Sequence, residues 1–271
     1  MDEFCPLCAS SKINHNRISN NLFKCLKCSA VFNTAALSLA YNDDYFITDY
    51  RKQYGRTYED DFPQIYAAAL TRLKRMKKIW PQTQRKSILD IGCALGFFLK
   101  AASDNGFTRI DGIEISDYAA SYCKEKFGFD VKNEAFEKII FTEKYDAVTA
   151  WYFIEHCSEP FKAIEKISAA LAQNGLFAFS APSVFGPMFH FHKNKWADSR
   201  PSDHIVDFSP RAARRALKHA GFRKVKIYAA GFHPERIISD HSFFFRFFSV
   251  VYKLFTKLTG YSDTIEVYAI K

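Results

Sequence analysis

Ser87-Ile-Leu-Asp-Ile-Gly-Cys-Ala-Leu-Gly96 decides how this chain is read. Its first half is an apolar strand and its second half a glycine-bearing turn, and Gly96 opens a helical stretch from Phe97 to Ser103. A second apolar run ends at Glu114, eighteen residues beyond Gly96. Strand, turn and helix together build a nucleotide crevice. Glycine lets backbone approach a ligand closely, and an acid on the next strand can hold a ribose diol. A dinucleotide-dependent dehydrogenase would share that much.

Outward from this stretch the pattern alternates. Strands are expected at 86–91, 109–115, 129–132, 145–151, 175–181, 223–229 and 264–270, and helices at 96–105, 116–127, 159–172 and 210–220. Ser116 and Ser209 read as N-caps, while Gly106, Gly128, Gly175 and Gly221 stand where helices end. Such alternation gives an α/β fold, with a seven-stranded, mainly parallel sheet covered by helices on both faces. Upstream, Ile65, Leu70, Leu73, Met76 and Ile79 mark the buried face of a helix over 60–80, which Pro81 stops. Residues 182–204 break the alternation with a polar loop that carries Ser183, His190, His192, Lys193, Trp196, Asp203 and His204. The loop leaves the carboxyl end of a strand, where open sheets bind ligands, and its Trp and Phe content argues against disorder.

Cys5-Pro-Leu-Cys8 and Cys25-Leu-Lys-Cys28 flank sixteen residues, the spacing of a tetrahedral site in which four thiolates hold Zn2+. So short a segment has too little core to fold without its metal. Residues 1–32 are therefore a zinc-ribbon module, 33–81 a connector and helix, and 82–271 the main α/β domain. Bracing the neighbouring domain is the default expectation for the ribbon, with binding of nucleic acid or protein as alternatives. The remaining cysteines, Cys93, Cys123 and Cys157, leave an odd total of seven, which fits a metal site in a reducing cytoplasm better than a disulfide scaffold. An acidic, polar start without an apolar core speaks against a signal peptide, and no apolar run is long enough for a spanning helix. With 48% hydrophobic residues the chain can bury a sizeable core, so disorder is not expected. The net charge of +9 permits nucleic acid, anionic lipid or phosphorylated substrates and selects none of them. Residues 241–259 hold six phenylalanines, and Arg246, Ser249, Lys253 and Lys257 form a single polar stripe on a helix that is otherwise apolar. One reading is an interfacial or lid helix that touches lipid; the other is a helix packed on the sheet or against a second copy.

These residues resemble the class I S-adenosylmethionine-dependent methyltransferases of the small-molecule type, here with an N-terminal four-cysteine zinc ribbon. Asp90-Ile-Gly-Cys-Ala-Leu-Gly96 matches the family's D-x-G-x-G-x-G signature except at Ala94, where the middle glycine usually lies; a methyl is accommodated there if φ is negative. Gly112-Ile-Glu-Ile-Ser116 looks like the second motif, and Asn133-Glu-Ala-Phe136 falls where the family contacts adenine. Ile154-Glu-His156 resembles the end of the fourth strand in many small-molecule members, and Gln173-Asn-Gly-Leu176 the turn before the fifth. Asp203-His-Ile-Val-Asp-Phe-Ser209 and Ala220-Gly-Phe222 continue the match.

The resemblance implies a Rossmann-like fold with S-adenosyl-L-methionine as cofactor. It assigns cofactor binding to Asp90, Gly92, Cys93, Gly96, Phe97, Glu114, Ile115, Glu134, Ala135 and Trp151, with Glu114 on the ribose. His156 is the expected base and His204 its alternate; a substrate hydrogen-bond donor or a structural histidine are the other readings of His156. Tyr41 and Tyr45 are placed to close over the cofactor. The acceptor expected is a small molecule: a sugar, a glycolipid or a polyprenyl-type compound. The alternative is an RNA methyltransferase that grips phosphates through the ribbon and the basic surface. A third reading is a binding module that keeps the cofactor fold without turnover. A cytoplasmic protein, peripheral membrane contact through 241–259 and a homo-oligomer complete the expectations.

Overall fold

The computed structural model describes residues 4–11, 15–19, 21–36, 46, 48, 50–81, 86–238 and 242–271. Tyr41 and Tyr45 lie outside them. The ribbon is built from β1 (His15–Arg17), β2 (Leu22–Cys25) and β3 (Val31–Asn33). Two helices follow, α1 (Tyr50–Tyr54) and α2 (Phe62–Ile79). The alternating region runs β4 (Ser87–Ile91), α3 (Phe97–Asp104), β5 (Arg109–Glu114), α4 (Asp117–Phe127), β6 (Val131–Asn133), β7 (Tyr145–Trp151), α5 (Pro160–Ala170) and β8 (Leu171–Pro182). Beyond it come α6 (Pro187–Phe191), α7 (Lys193–Ser199), β9 (Val206–Asp207), α8 (Pro210–His219), β10 (Lys224–Ala229), α9 (Phe245–Thr259) and β11 (Thr264–Ile270).

The seven expected strands form one sheet in the order β10-β11-β8-β7-β4-β5-β6. β4 pairs in parallel with β5 on one side and β7 on the other, and β6 extends the parallel run from β5. The chain thus leaves β4 in opposite directions, and a crevice opens at the carboxyl end of that strand. Ser116 and Ser209 are the caps expected of them: each hydroxyl accepts from the amide three residues on, Ala119 at 3.1 Å and Ala212 at 3.0 Å. α2 buries Ala69, Leu73 and Met76, while Leu70 is turned outward. Leu73 and Met76 are thus buried as expected, with Ala69 in the place expected of Leu70. β8 begins at Leu171, earlier than expected, and carries Asn174 at φ 62° within it.

Residues 182–204 are not a structureless loop. Pro187 starts α6, and Phe189 stacks edge-on against Trp196 of α7 with ring centroids 4.9 Å apart. Both rings join a cluster with Leu22, Val31 and Val184.

By internal contacts the chain forms two compact units. One comprises 1–38, 152–165 and 179–269; the other comprises 39–151, 166–178 and 270–271. The first contains a four-stranded sheet in the order β1-β2-β3-β9. The second contains two apolar clusters: Phe46, Leu95, Phe97 and Ala119 ringed by aromatics, and Cys93, Leu99 and Cys123 with Ile110, Phe129 and Val131.

Candidate functional site

All ten residues expected to bind cofactor belong to the second unit. The turn after β4 is wound through Gly92 (φ 68°), Ala94 (φ 49°) and Gly96 (φ 75°). Ala94 therefore adopts the left-handed conformation, contrary to the negative φ expected of it. The reason is non-local: its amide is pulled onto Glu114 Oε2 at 2.9 Å. Glu114 Oε1 also accepts from the amides of Ile115 (2.8 Å) and Ser116 (3.1 Å), so the carboxylate ties the end of β5 to the turn after β4. Burial raises its pKa, and these three amides oppose the rise. A side chain at Gly96 has no room, since a Cβ would lie 2.7 Å from Cys123 Sγ.

Asp90, at the mouth of the turn, is 1% exposed and accepts from the Thr149 hydroxyl at 2.6 Å. Burial lifts its pKa to about 7, against that hydrogen bond and the charge of Arg72. The loop after β6 is held in place at both ends. Asn133 donates to the carbonyls of Glu114 (3.3 Å) and Ile115 (3.2 Å), and Lys166 donates to those of Phe136 (2.7 Å) and Glu137 (2.8 Å). Glu134 and Ile115 are exposed and Ala135 half-buried. Trp151 packs on Phe98 at 5.1 Å and lies under the Arg72 guanidinium at 4.2 Å. The side chains of Cys93 and Phe97 point into the core clusters, leaving only backbone for a ligand. Two carboxylates at the ends of adjacent strands, flanking a turn wound through left-handed residues, suit the sulfonium, amine and ribose diol of S-adenosylmethionine.

The first unit holds the two histidines. The sharp turn Ile154–His156 follows Tyr152, whose φ of 56° is strained for so bulky a side chain. His156 Nδ1 meets Asp203 Oδ2 at 2.8 Å, and the His156 and His204 rings lie edge to face, 4.7 Å apart. His204 Nδ1 meets Asp207 Oδ1 at 3.4 Å; Asp207 in turn is clamped by Arg200, which also donates to the His204 carbonyl at 2.6 Å. Burial works against a charged His156, but Asp203 and the neighbouring carboxylates outweigh it and raise the pKa. Asp203, opposed by its own burial, is lowered to about 2 by His156 and His204. Glu155 is fully buried, and burial raises its carboxyl.

The ribbon belongs to the same unit and is hydrogen-bonded to the segment that carries His204. β3 pairs with β9, the Asn33 amide donates to the Ile205 carbonyl at 2.9 Å, and Ser209 Oγ donates to the Cys28 carbonyl at 3.3 Å. Cys5 and Cys28 sulfurs stand 3.6 Å apart, and those of Cys8 and Cys25 3.7 Å. A tetrahedron with zinc–sulfur bonds of about 2.3 Å has edges of about 3.8 Å, so the cluster has the geometry of a zinc ribbon. Each pair ends in a left-handed residue, Ala9 (φ 50°) or Ser29 (φ 67°), whose amide closes the turn on the first cysteine's carbonyl.

A family model described as "Methyltransferase domain" matches residues 60–227. The chain belongs to this family. Two curated proteins are similar to this chain, both named ubiquinone biosynthesis O-methyltransferase. That of Histophilus somni is 27% identical over 131 residues, covering 44% of this chain and 55% of its own. That of Actinobacillus pleuropneumoniae is 26% identical over 106 residues, covering 35% and 45%. The chain thus spans about half the length of the curated relatives it matches. A solved S-adenosylmethionine-dependent methyltransferase from Archaeoglobus fulgidus shares its fold with a TM-score of 0.57 at 20% identity, over 84% of this chain and 100% of that one. A plantazolicin methyltransferase solved with S-adenosylhomocysteine has a TM-score of 0.55 at 16% identity, over 84% and 89%.

Sequence reasoning did not single out Glu155, Asp207, Arg200 or Thr149. Only the Glu-His dipeptide and the acids flanking His204 carried any signal in the sequence, since their partners are far away in the chain.

Proposed function

We propose that the protein methylates a hydroxyl of a small, partly apolar acceptor, with S-adenosyl-L-methionine as donor. The observation that carries this reading is the polar cluster of Glu155, His156, Asp203, His204 and Asp207, buried in a chain whose other unit has the cofactor turn. When bound, the cofactor supplies an electrophilic methyl. The acceptor oxygen would form its bond to that carbon as the sulfur–carbon bond breaks, with that bond's electron pair going to sulfur. Asp90 and Glu114 would hold the cofactor's amino-acid and ribose ends, the Gly92–Gly96 turn would give the close backbone approach, and the histidine cluster would offer a base for the hydroxyl proton. The names of the two curated relatives favour oxygen as the methylated atom.

α9 supports an acceptor of sugar-lipid or polyprenyl type. Phe243, Phe244, Phe247, Val250, Leu254 and Leu258 are all exposed, and the helix faces the first unit through Tyr252 and Thr256 instead. The helix thus touches β10 while most of its apolar side chains stay exposed. Among the described residues no helix is long and apolar enough to cross a membrane. With Arg246, Lys253 and Lys257 and no acid, α9 suits the surface of an anionic bilayer. The RNA-directed reading draws on one observation, the cluster of Arg211, Arg214, Arg215 and Lys218 on α8.

The test is transfer of labelled methyl to a panel of hydroxylated polyprenyl compounds, sugar lipids and RNA. The reading predicts label on an oxygen of one of the first two, and exclusive labelling of RNA overturns it. Asp90→Ala removes cofactor binding, whereas His156→Ala keeps binding and loses turnover.

A further inference from the structure

Glu155 presents an anomaly. Its side chain is fully buried, yet among the described residues neither carboxylate oxygen meets a hydrogen-bond partner. A carboxylate taken out of water and left so is costly unless a cation meets it. Beside it stand His156 and His204, and the ligand atoms these three residues offer all lie within 4.8 Å of one another. Each imidazole has its Nδ1 on a carboxylate, Asp203 for His156 and Asp207 for His204. An outer carboxylate on one ring nitrogen is the arrangement that orients a metal-ligating histidine.

The scaffold is tied together independently of any ligand. The Ile205 amide donates to the Glu155 carbonyl at 2.7 Å, joining the two segments that carry the three side chains.

We propose that Glu155, His156 and His204 form a binding site for a divalent first-row metal ion, separate from the ribbon's four cysteines. Two imidazoles and one carboxylate are the borderline donors that manganese, iron, cobalt and zinc accept, and three ligands leave coordination positions open. Ligand bonds of about 2.0–2.2 Å draw the three atoms closer than 4.8 Å by side-chain rotation.

Resting on the reading of the protein as an O-methyltransferase, the open positions take the acceptor oxygen. Coordination lowers the pKa of the hydroxyl, its proton leaves to water, and the resulting oxyanion is the nucleophile for the methyl carbon. His156 is then a ligand in this step, and proton withdrawal falls to the ion. Acceptors with a second oxygen next to the methylated one chelate it and are the preferred class.

The experiment uses the full chain purified with its ribbon zinc in place. Manganese(II) is titrated and free ion read by electron paramagnetic resonance, with zinc content followed in parallel. One manganese ion per chain is expected, with zinc unchanged at one. Glu155→Gln and His204→Ala each weaken manganese binding at least tenfold, while retained S-adenosylmethionine binding reports that the variants fold. Failure of the wild-type chain to bind manganese, cobalt or a second zinc ion overturns the site, as does unchanged affinity in both variants. If manganese binds and turnover ignores its removal, the metal site stands and its role in methyl transfer is overturned. If no hydroxylated acceptor is methylated under any metal, the functional reading fails while the binding measurement still decides the site.

Discussion

Ala94 shows how one methyl group departs from the local rule. It occupies a left-handed conformation that glycine adopts freely and that costs other residues about 1–2 kcal/mol, held there by the Glu114 carboxylate. Ala94→Gly removes that strain but loosens the unfolded chain, so the expected gain is about 0.5–1 kcal/mol, read as a higher denaturation midpoint. Asp90 makes a second prediction. Its buried carboxyl titrates near 7 in the folded protein, with Glu114 adding to the rise and Thr149 and Arg72 opposing it. A carboxyl raised above its unfolded value of about 4 stabilises fully below that pH and loses the contribution as pH climbs through its folded value. Stability of the unliganded protein therefore falls between about pH 4 and about pH 7, and Asp90→Asn flattens that slope in denaturation curves taken across the range. A wild-type slope indistinguishable from that of the variant contradicts the assignment.

At the scale of elements, the ribbon's contribution is mechanical. Three short strands held by four cysteines donate an edge to β9, which lies between His204 and the Ser209 cap. A ribbon this small has too little core to persist without its metal. Removing zinc with a chelator is therefore expected to speed amide exchange at Val206 and Asp207 more than tenfold and to leave the Ser87–Ile91 strand protected. Equal protection of β9 with and without zinc argues against bracing. The paired Cys-x-x-Cys spacing was legible because two thiolates on one turn have few other uses. That β3 extends to β9 was not, since strands of two or three residues leave no periodicity to read.

Across the whole molecule, the net charge of +9 and the outward apolar face of α9 act together. Binding to vesicles with anionic lipid is expected at low salt and weakens several-fold at 0.5 M salt, where screening shortens the reach of charge to a few ångströms. Phe247→Ser and Leu258→Ser reduce it at every salt concentration, because both side chains are mostly exposed and the fold does not need them. Vesicles of neutral lipid are the control, and sedimentation reads the bound fraction. Salt-independent binding, or none, excludes the proposed surface.

The sequence by itself determined the cofactor half. Strand, glycine turn, helix and acid lie within Ser87–Glu114, and their physics is short-range: a strand's apolar run, a glycine's freedom, an acid one strand away. The four zinc thiolates were readable for the same reason. Only the tertiary structure decided the rest. It brought Glu155 and His156 to Asp203, His204 and Asp207 across nearly fifty residues, turned Ala94 left-handed through a bond to Glu114, and faced the phenylalanines of α9 outward. Each of these depends on contacts between segments distant in the chain, and no local pattern encodes which partner a buried charge will find.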